Sequence, residues 1–349
     1  MKRHWTDRRG WEDGVLVCKQ VYDITADVKT FVLEPLEPRA FCHDPGQYLS
    51  LTLPVDGQEI DRCYTISSPP SRPYIATITV KRVPGGVASN WLHDHLVPGT
   101  RLHGRGPLGS FSLVEHPADK YLFLSGGSGI TPLMSMTRTL HDLGQPTDVV
   151  FVHSARTPDD IVFRQELDLI QAASPGIRVV HVCEQDSPSE SWPGHRGRMN
   201  LDVLKDIAPD FLEREVFICG PGGYMNAVRS MLDDAGFPMD HFHQESFTFD
   251  LPAESVIDTD GDEMFSVEFS RSGWTIPCSP ETTILEAASR SGITLPSSCG
   301  QGLCGTCKTT LVKGSVDMNH NGGIRPREIA ADKILLCCST PQENVVVDC

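Results

Sequence analysis

The amino-acid sequence of 349 residues predicts three domains: an antiparallel β barrel or sandwich, a parallel α/β domain and a smaller C-terminal domain. Short β-rich runs separated by turn residues, over residues 12–113, predict the first domain. Apolar strands that alternate with helical patterns, over 118–248, predict the second. An acidic segment at 249–263 then separates the third domain, 264–349, from the rest of the chain as a linker.

The individual elements follow the same patterns. The predicted strands of the first domain are Val15–Val21, Val28–Leu33, Tyr48–Leu53 and Ile75–Val80. In the second domain, strands at Tyr121–Leu124, Val149–His153, Ile177–Val182 and Glu215–Cys219 alternate with helices at Pro132–Leu143, Asp160–Ala173, Leu201–Ile207 and Tyr224–Ala235. The third domain begins with a strand, Phe265–Phe269, and a helix, Thr283–Ser291. Strands that alternate with helices indicate βαβ units with a parallel sheet.

Composition and charge exclude some classes of protein. The net charge is −16, so the chain lacks the basic field that attracts nucleic-acid phosphates. No apolar run approaches the ~20 residues that span a bilayer, and the basic N-terminus is not followed by the apolar stretch of a secretory signal. We therefore expect a cytoplasmic protein without a nucleic-acid or membrane partner, whose 12 cysteines do not form a disulfide framework.

Three cysteines near the C-terminus, Cys299, Cys304 and Cys307, have the spacing C-x4-C-x2-C. This is the spacing of a plant-type 2Fe–2S cluster, which needs four thiolates. The glycines between these cysteines let the backbone adopt positive φ and approach the inorganic sulfides. A zinc site is the alternative interpretation, but zinc knuckles usually have a second pair of ligands, which the sequence lacks.

The fourth cluster ligand is either Cys337 or Cys338, which follow the apolar run 334–336. If this run is a strand, alternation points one of the two side chains toward the cluster and the other away. The segment resembles plant-type ferredoxins, in many of which the last ligand lies four residues before a proline. Pro341 then favours Cys337, and the resemblance implies a β-grasp fold for the third domain.

The segment Arg62-Cys63-Tyr64-Thr65 resembles the flavin signature of the ferredoxin–NADP reductase superfamily. The resemblance implies that Arg62 neutralises the flavin phosphates, that Tyr64 stacks on the isoalloxazine or binds the ribityl chain, and that the Thr65 hydroxyl donates to flavin N5. A Gly-x-x-Ser turn at a helix N-terminus, which binds pyrophosphate in the superfamily, follows at the same distance. The candidate residues at and before this turn are Val80, Lys81, Gly86, Val87 and Ser89. The form of this turn favours FAD over FMN.

A glycine-rich segment follows the first strand of the second domain, where backbone N–H groups can approach an anion at a helix N-terminus. It matches the superfamily's Gly-Gly-x-Gly-Ile-Thr-Pro motif, which binds the nicotinamide nucleotide. A later Cys-Gly-Pro turn matches the one that the superfamily places at the site of hydride transfer. The candidate nucleotide-binding residues in the two motifs are Gly127, Gly129, Thr131, Cys219, Gly220 and Pro221.

Four further residues complete the candidate site. Ser154 and Arg156 end the second strand, where the adenosine ribose is expected. They could bind the 2′-phosphate of NADPH, but analogy with the superfamily favours NADH. Glu245 and Phe247 lie where superfamily members often keep an acid and an aromatic residue beside the flavin.

The order of the motifs, flavin then nicotinamide then cluster, resembles the reductase components of Rieske-type monooxygenases. The resemblance implies that NADH gives hydride to FAD, and that single electrons then pass through the cluster to an oxygenase. Residues 317–324 and the FAD-type barrel resemble the reductases of glycine betaine and stachydrine demethylases. The alternatives are the reductase of a hybrid-cluster protein, the reductase of another oxygenase or desaturase, and a 2Fe–2S redox sensor. Thr65 and Cys219 are the candidate catalytic residues, while histidines such as His241 and His243 are interpreted as solvated or core residues.

Overall fold

The computed structural model describes residues 10–144, 146–245 and 264–349, except 292, 294, 296–299, 301, 303, 304, 306, 321–323 and 325. Contacts divide the chain into two compact units. One holds the described residues up to 245 apart from 61–63, and the other holds 61–63 and the described residues from 264 onward. Within these residues, no helix is long and apolar enough to cross a membrane.

The first sheet is antiparallel and has six strands. It comprises β1 (Asp13–Thr25), β2 (Val28–Pro35), β3 (Tyr48–Val55), β4 (Gln58–Thr65), β5 (Ala76–Lys81) and β6 (Arg101–Leu108), with helix α1 (Val87–His95) between the last two. The strand order is β4-β3-β6-β1-β2-β5. A bridge between Ile66 and Ile78 joins the segment after β4 to β5, which closes the sheet into a barrel around an apolar core.

The sequence analysis predicts four of these six strands and misses β4 and β6. Both depart from the alternation of apolar and polar residues that marks a half-buried strand. In β4 the charged residues Glu59, Asp61 and Arg62 interrupt the pattern. In β6 the inward positions 104 and 106 are glycines, and a Cβ at Gly104 would lie 2.7 Å from the side chain of Leu16.

The second sheet is parallel, as predicted, and also has six strands. Its elements are β7 (Lys120–Gly126), α2 (Ile130–Leu143), β8 (Asp148–Ala155), α3 (Arg164–Ala173), β9 (Ile177–Cys183), β10 (His195–Arg196), α4 (Leu201–Ile207), β11 (Glu215–Cys219), α5 (Gly222–Asp234) and β12 (Phe242–Glu245). The strand order is β10-β9-β8-β7-β11-β12, and every neighbouring pair is parallel. The loops after β7 and β11 therefore emerge side by side at the carboxyl edge of the sheet, where such folds bind ligands.

Helix α3 begins at Arg164, four residues later than the predicted start at Asp160. The Asp160 carboxylate instead accepts hydrogen bonds from the backbone N–H and hydroxyl of Thr157, which close a single 3-10 turn. Phe163 then has a φ of 60°, a left-handed conformation that separates the turn from the helix. Local side-chain hydrogen bonds thus replace the first helical turn that the sequence pattern predicts.

The second unit contains a five-stranded sheet, a two-stranded ribbon and two short helices. The elements are β13 (Phe265–Phe269), β14 (Trp274–Cys278), α6 (Ile284–Arg290), β15 (Lys308–Lys313), β16 (Val316–Met318), α7 (Pro326–Ile329), β17 (Lys333–Leu335), β18 (Ser339–Pro341) and β19 (Val345–Val347). The sheet order is β14-β13-β19-β15-β17, with β13 and β19 parallel. Helix α6 packs its apolar face into the same core as this sheet, which is the predicted β-grasp arrangement.

Candidate functional site

Thr65 ends β4, at the point where the barrel closes. Its side chain is 4% exposed, and its Oγ1 atom has no hydrogen-bond partner among the described residues. A buried hydroxyl without a partner costs about 1–3 kcal/mol, so it fits a donor that a bound cofactor satisfies. On the same strand, Tyr64 packs against the barrel core, and the Arg62 guanidinium donates to the Asp61 carbonyl at 2.8 Å.

Helix α1 begins with an uncapped N-terminus at Gly86. Its first turn holds no acidic residue, and Val87 is 56% exposed, so the first N–H groups of the helix are accessible. The Ser89 hydroxyl accepts from the Val83 N–H at 3.1 Å and donates to the Gly86 carbonyl at 3.3 Å, which holds the turn in shape. An accessible, uncapped helix N-terminus of this kind suits a phosphate group.

Val80 and Lys81, the remaining candidates near this turn, lie on β5 and have protein partners. His93 Nε2 lies 2.9 Å from the Val80 carbonyl oxygen, and the Lys81 ammonium lies 2.7 Å from the Asp27 carboxylate. Burial lowers the pKa of His93, which favours the neutral imidazole in this contact. These contacts fix the end of β5 next to the turn that begins α1.

The turn between β7 and α2 packs closely against the loop that follows β11. A Cβ on Gly129 would lie 2.4 Å from the carbonyl of Cys219, so only glycine allows the loops after β7 and β11 to pack this closely. Gly127 has a φ of +53°, and no atom lies within 4 Å of its Cβ direction. Helix α2 begins at Ile130, two residues before the predicted start at Pro132, because a proline needs no N–H partner anywhere in the first turn.

Cys219 and Glu245 face each other across adjacent parallel strands, at the ends of β11 and β12. Cys219 is fully buried; burial and the nearby Glu245 carboxyl raise the pKa of its thiol well above the ordinary value. Burial also raises the pKa of Glu245 to about 8, and its Oε2 atom has no partner among the described residues. Both groups therefore keep their protons at neutral pH.

The other predicted residues at this edge lie at or next to the ends of β8 and β11. Ser154 is paired in register with Gly126, and its buried hydroxyl lies beside Tyr224, the pKa of which burial raises strongly. Arg156 is exposed at the end of β8. Gly220 packs against the Tyr224 ring, where a Cβ would lie 2.9 Å from the nearest ring carbon. Phe247 lies outside the described residues.

Arg138 is a residue of this region that the sequence analysis overlooks. Although it lies on the buried face of α2, its guanidinium donates to the Ser67 carbonyl at 2.6 Å and pairs with Glu166. Ser135, one turn earlier, donates to the Ser68 carbonyl at 2.8 Å. Helix α2 therefore holds the segment that directly follows Thr65. In the sequence, the signal for Arg138 is an arginine on a helix face that is otherwise apolar.

In the second unit, Cys307 and Cys337 are both buried, while Cys299 and Cys304 lie outside the described residues. The Gly302 N–H donates to Cys337 Sγ at 3.3 Å. Gly300, Gly302 and Gly305 have φ values of 64°, 67° and 77°, as expected for a loop that needs glycine. Backbone N–H groups that point at cysteine sulfur are typical of cluster loops.

The prediction that strand alternation separates the side chains of Cys337 and Cys338 is wrong. The run 334–336 does not continue as a strand through the two cysteines, because β17 ends at Leu335 and a 3-10 turn covers Leu336–Cys338. The turn buries Cys337 and leaves Cys338 partly exposed, with its thiol 3.6 Å from the Leu335 carbonyl. One side chain faces inward and the other outward, but a turn rather than strand alternation separates them.

Family models match the three parts of the chain that contain these residues. Residues 16–113 match the model of an oxidoreductase FAD-binding domain, 123–230 that of an oxidoreductase NAD-binding domain, and 267–342 that of a 2Fe-2S iron-sulfur cluster binding domain. Among solved structures, phthalate dioxygenase reductase is similar, with a TM-score of 0.58 and 25% identity over 97% of this chain and 98% of that one. The residues present at each site fit FAD, NAD and a 2Fe–2S cluster.

Two curated relatives cover nearly the whole chain. The glycine betaine monooxygenase reductase subunit of Chromohalobacter salexigens is 46% identical over 95% of this chain and 94% of its own. The stachydrine N-demethylase reductase subunit of Rhizobium meliloti is 44% identical over 97% of both chains. The chain therefore belongs to the family of monooxygenase reductase subunits that combine FAD-binding, NAD-binding and 2Fe-2S domains.

Proposed function

We propose that this protein takes electrons from NADH and delivers them, through FAD and a 2Fe–2S cluster, to a Rieske-type oxygenase that N-demethylates a betaine. The observation that carries the proposal is the match over at least 95% of the chain to reductase subunits named for glycine betaine and stachydrine. FAD accepts hydride and releases single electrons when bound. The protein binds and orients the cofactors, holds protons on titratable side chains near them, and provides the path between the sites.

In the proposed flavin site, the partner-free Thr65 hydroxyl donates to the flavin ring. Tyr64 covers the ring or the ribityl chain, and Arg62 binds the phosphates. The uncapped start of α1 at Gly86 and Val87 supplies backbone N–H groups to the pyrophosphate, with Ser89 shaping the turn. Val80 and Lys81 position this turn through their contacts on β5.

In the proposed nicotinamide site, the nucleotide binds across the loops that follow β7 and β11. Gly127 and Gly129 bring backbone N–H groups to the pyrophosphate, and Thr131, Gly220 and Pro221 line the nicotinamide pocket. Cys219 contacts the nicotinamide as a neutral thiol, because burial disfavours the thiolate. Ser154 and Arg156 lie near the adenosine ribose; we propose NADH as the donor by analogy with the family.

Glu245 holds a proton at the same carboxyl edge of the parallel sheet. A carboxyl with a pKa of about 8 is mostly protonated at pH 7, so it can donate a hydrogen bond into the site. We propose that Glu245 and Phe247 close the site beside the flavin. The unpartnered Oε2 atom supports this role, since a purely structural carboxyl is normally paired.

The proposed cluster ligands are Cys299, Cys304, Cys307 and Cys337. The burial of Cys337 and the N–H that it accepts from Gly302 support it over Cys338. We also propose the domain boundaries 12–113, 118–248 and 264–349, with a linker at 249–263, which the three matched ranges support. Thiolate ligands and an NADH donor suit a reducing compartment, so we propose a cytoplasmic location.

The test is a reconstituted demethylation assay. The purified protein, NADH and O2 are mixed with a glycine betaine oxygenase or a stachydrine oxygenase and its substrate, and formaldehyde is measured. We expect formaldehyde only in the complete mixture, and none when Cys337→Ser replaces the native reductase. Rapid reduction of a small-molecule dye without formaldehyde from either oxygenase would show a working reductase with a different acceptor, and would exclude the betaine assignment.

A further inference from the structure

A cluster of candidate metal ligands lies toward the amino-terminal end of strand β11 in the parallel sheet. Glu215 begins β11, His243 lies on β12, and His116 lies in the connection between β6 and β7. Cys219 is four residues further along β11, about 13 Å away at the rise of an extended strand. The cluster is therefore separate from the proposed nicotinamide pocket.

The side chains of this cluster already contact one another. Glu215 uses Oε1 to bind His243 Nε2 at 2.5 Å and Oε2 to bind His241 Nδ1 at 2.7 Å. The rings of His116 and His243 stack, with centroids 3.6 Å apart and planes at 19°. One nitrogen or oxygen atom from each of His116, Glu215 and His243 lies within 4.8 Å of the other two.

The surroundings hold these groups in place while leaving a path from solvent. Phe217, in register with His243, packs against both the His243 ring at 4.9 Å and the His116 ring at 6.0 Å. The backbone N–H of His116 donates a hydrogen bond to the Ser112 carbonyl at 3.2 Å, which anchors the loop that carries His116. Glu215 and His243 are each 12% exposed, whereas His241 is 56% exposed.

Stacked imidazoles are available to a metal when they are neutral. A neutral ring keeps a lone pair on one nitrogen, which is the form that binds metals. The carboxylate of Glu215 offsets part of the charge of a divalent cation, and the aromatic wall of Phe217 limits the access of water.

We propose that His116, Glu215 and His243 bind one divalent transition metal of the zinc class. Imidazole nitrogen and carboxylate oxygen suit Zn²⁺, whereas Mg²⁺ and Ca²⁺ prefer oxygen ligands alone. Bonds of about 2.0–2.2 Å place two tetrahedral ligand atoms about 3.4 Å apart. Because the lone pair of an imidazole lies in its ring plane, metal binding requires the stacked His116 and His243 rings to rotate apart until both point at one metal. The metal then ties the connection after the barrel to the last strand of the parallel sheet, as a structural link without a role in electron transfer.

The test uses the holoprotein with FAD and the iron–sulfur cluster intact. After removal of loosely bound metal, equilibrium dialysis against micromolar ZnCl2, with elemental analysis, gives the zinc bound per chain beyond the iron. We expect one zinc per native chain, with an affinity at least tenfold lower in His243→Ala and in His116→Asn. His103→Ala, which removes an exposed barrel histidine, is the matched control and should bind zinc as the native protein does.

A second measurement guards against variants that fold poorly. Zinc should raise the melting temperature of the native protein and of His103→Ala but not of His243→Ala, while all three keep the native flavin spectrum. Zinc that binds equally to native protein and to well-folded cluster variants would overturn the proposal, as would no binding to the native protein at these concentrations.

Discussion

Glu215 and Glu245 lie at opposite ends of the same strand pair, and their surroundings differ. Both carboxylate oxygens of Glu215, at the start of β11, are hydrogen-bonded to histidines. Glu245, at the end of β12, has a buried Oε2 without a partner among the described residues, and burial raises its pKa to about 8. Glu215 thus has protein partners for both of its oxygens, whereas one oxygen of Glu245 has none among the described residues.

The difference indicates which end of the strand pair belongs to the cofactor site and which has a structural role. A buried polar atom without a partner costs free energy, so each such atom calls for an explanation such as a bound ligand, ion or water. Glu245 and Thr65 are of this kind, and we propose that both lie beside the flavin. The histidines around Glu215 are mutually satisfied, which suits a structural link rather than electron transfer.

The largest expected effect is loss of the iron–sulfur cluster, and it should distinguish two neighbouring cysteines of the second unit, Cys337 and Cys338. Cys337→Ser removes the buried thiol that accepts the Gly302 N–H, so we expect nearly complete loss of the cluster. Cys338→Ser changes only the partly exposed neighbour and should keep the cluster. Iron and sulfide analysis with visible spectroscopy measures both variants. A cluster retained in Cys337→Ser and lost in Cys338→Ser would reverse the assignment.

A large effect is also expected where the loops after β7 and β11 touch. Gly129→Ala places a methyl group 2.4 Å from backbone atoms of Cys219, which cannot move aside as a flexible side chain can. We expect destabilisation of about 1–3 kcal/mol and a weakening of NADH binding of roughly tenfold or more.

Gly223→Ala is the control for this substitution, because no atom lies within 4 Å of its Cβ direction. It lies in the first turn of α5 and should leave both stability and binding nearly unchanged. Melting temperatures and NADH titrations compare the two variants. Equal effects of the two alanines would show that close packing of the loops does not organise the site.

Substitutions of Thr65 test directly whether its unpartnered hydroxyl acts in the flavin site. Thr65→Val keeps the shape but removes the buried hydroxyl, so we expect flavin reduction by NADH to slow by about tenfold while the apoprotein loses no stability. Thr65→Ser restores the hydroxyl and should recover most of the rate. Stopped-flow absorbance gives the rates. A valine variant that is as fast as the native protein would remove Thr65 from the flavin site.

The last expected effect is a change in the pH dependence of stability, which shows only as a slope across a range of pH. In the unfolded chain Glu245 loses its proton near its ordinary value of 4.5, whereas in the folded protein it keeps the proton up to about pH 8. Between these values the unfolded state binds fewer protons, so this group makes stability fall as pH rises. Glu245→Gln should reduce the fall between pH 5.5 and 8 by on the order of 1–3 kcal/mol. Melting curves across this range measure it, and an unchanged slope would contradict the buried carboxyl.

Much of this architecture can be predicted from the sequence, because its signals are local. Apolar runs such as Glu215–Cys219 and the helix Leu201–Ile207 have the bounds that the pattern predicts. The glycine-rich turns also identify themselves, since glycine is needed where the backbone adopts positive φ or packs closely, as at Gly127 and Gly129.

Other features depend on the fold and have no local signal. Strand β12 has four residues, too few for a periodic pattern, yet it brings Glu245 beside Cys219. The histidine cluster joins residues 116, 215 and 243, which are far apart in the chain, so no ligand spacing marks it. Single histidines such as His243 are therefore interpreted from sequence as solvated or core residues, and only the sheet register shows which carboxylate they meet.

The central claim is a single electron path from nucleotide to flavin to cluster, and an anaerobic stopped-flow experiment tests it most directly. The holoprotein is mixed with NADH, and in parallel with NADPH, while flavin and cluster absorbance are followed. We expect fast bleaching of the flavin with NADH, followed by slower reduction of the cluster. Flavin bleaching without any change in cluster absorbance, in protein with intact iron and sulfide, would contradict the path.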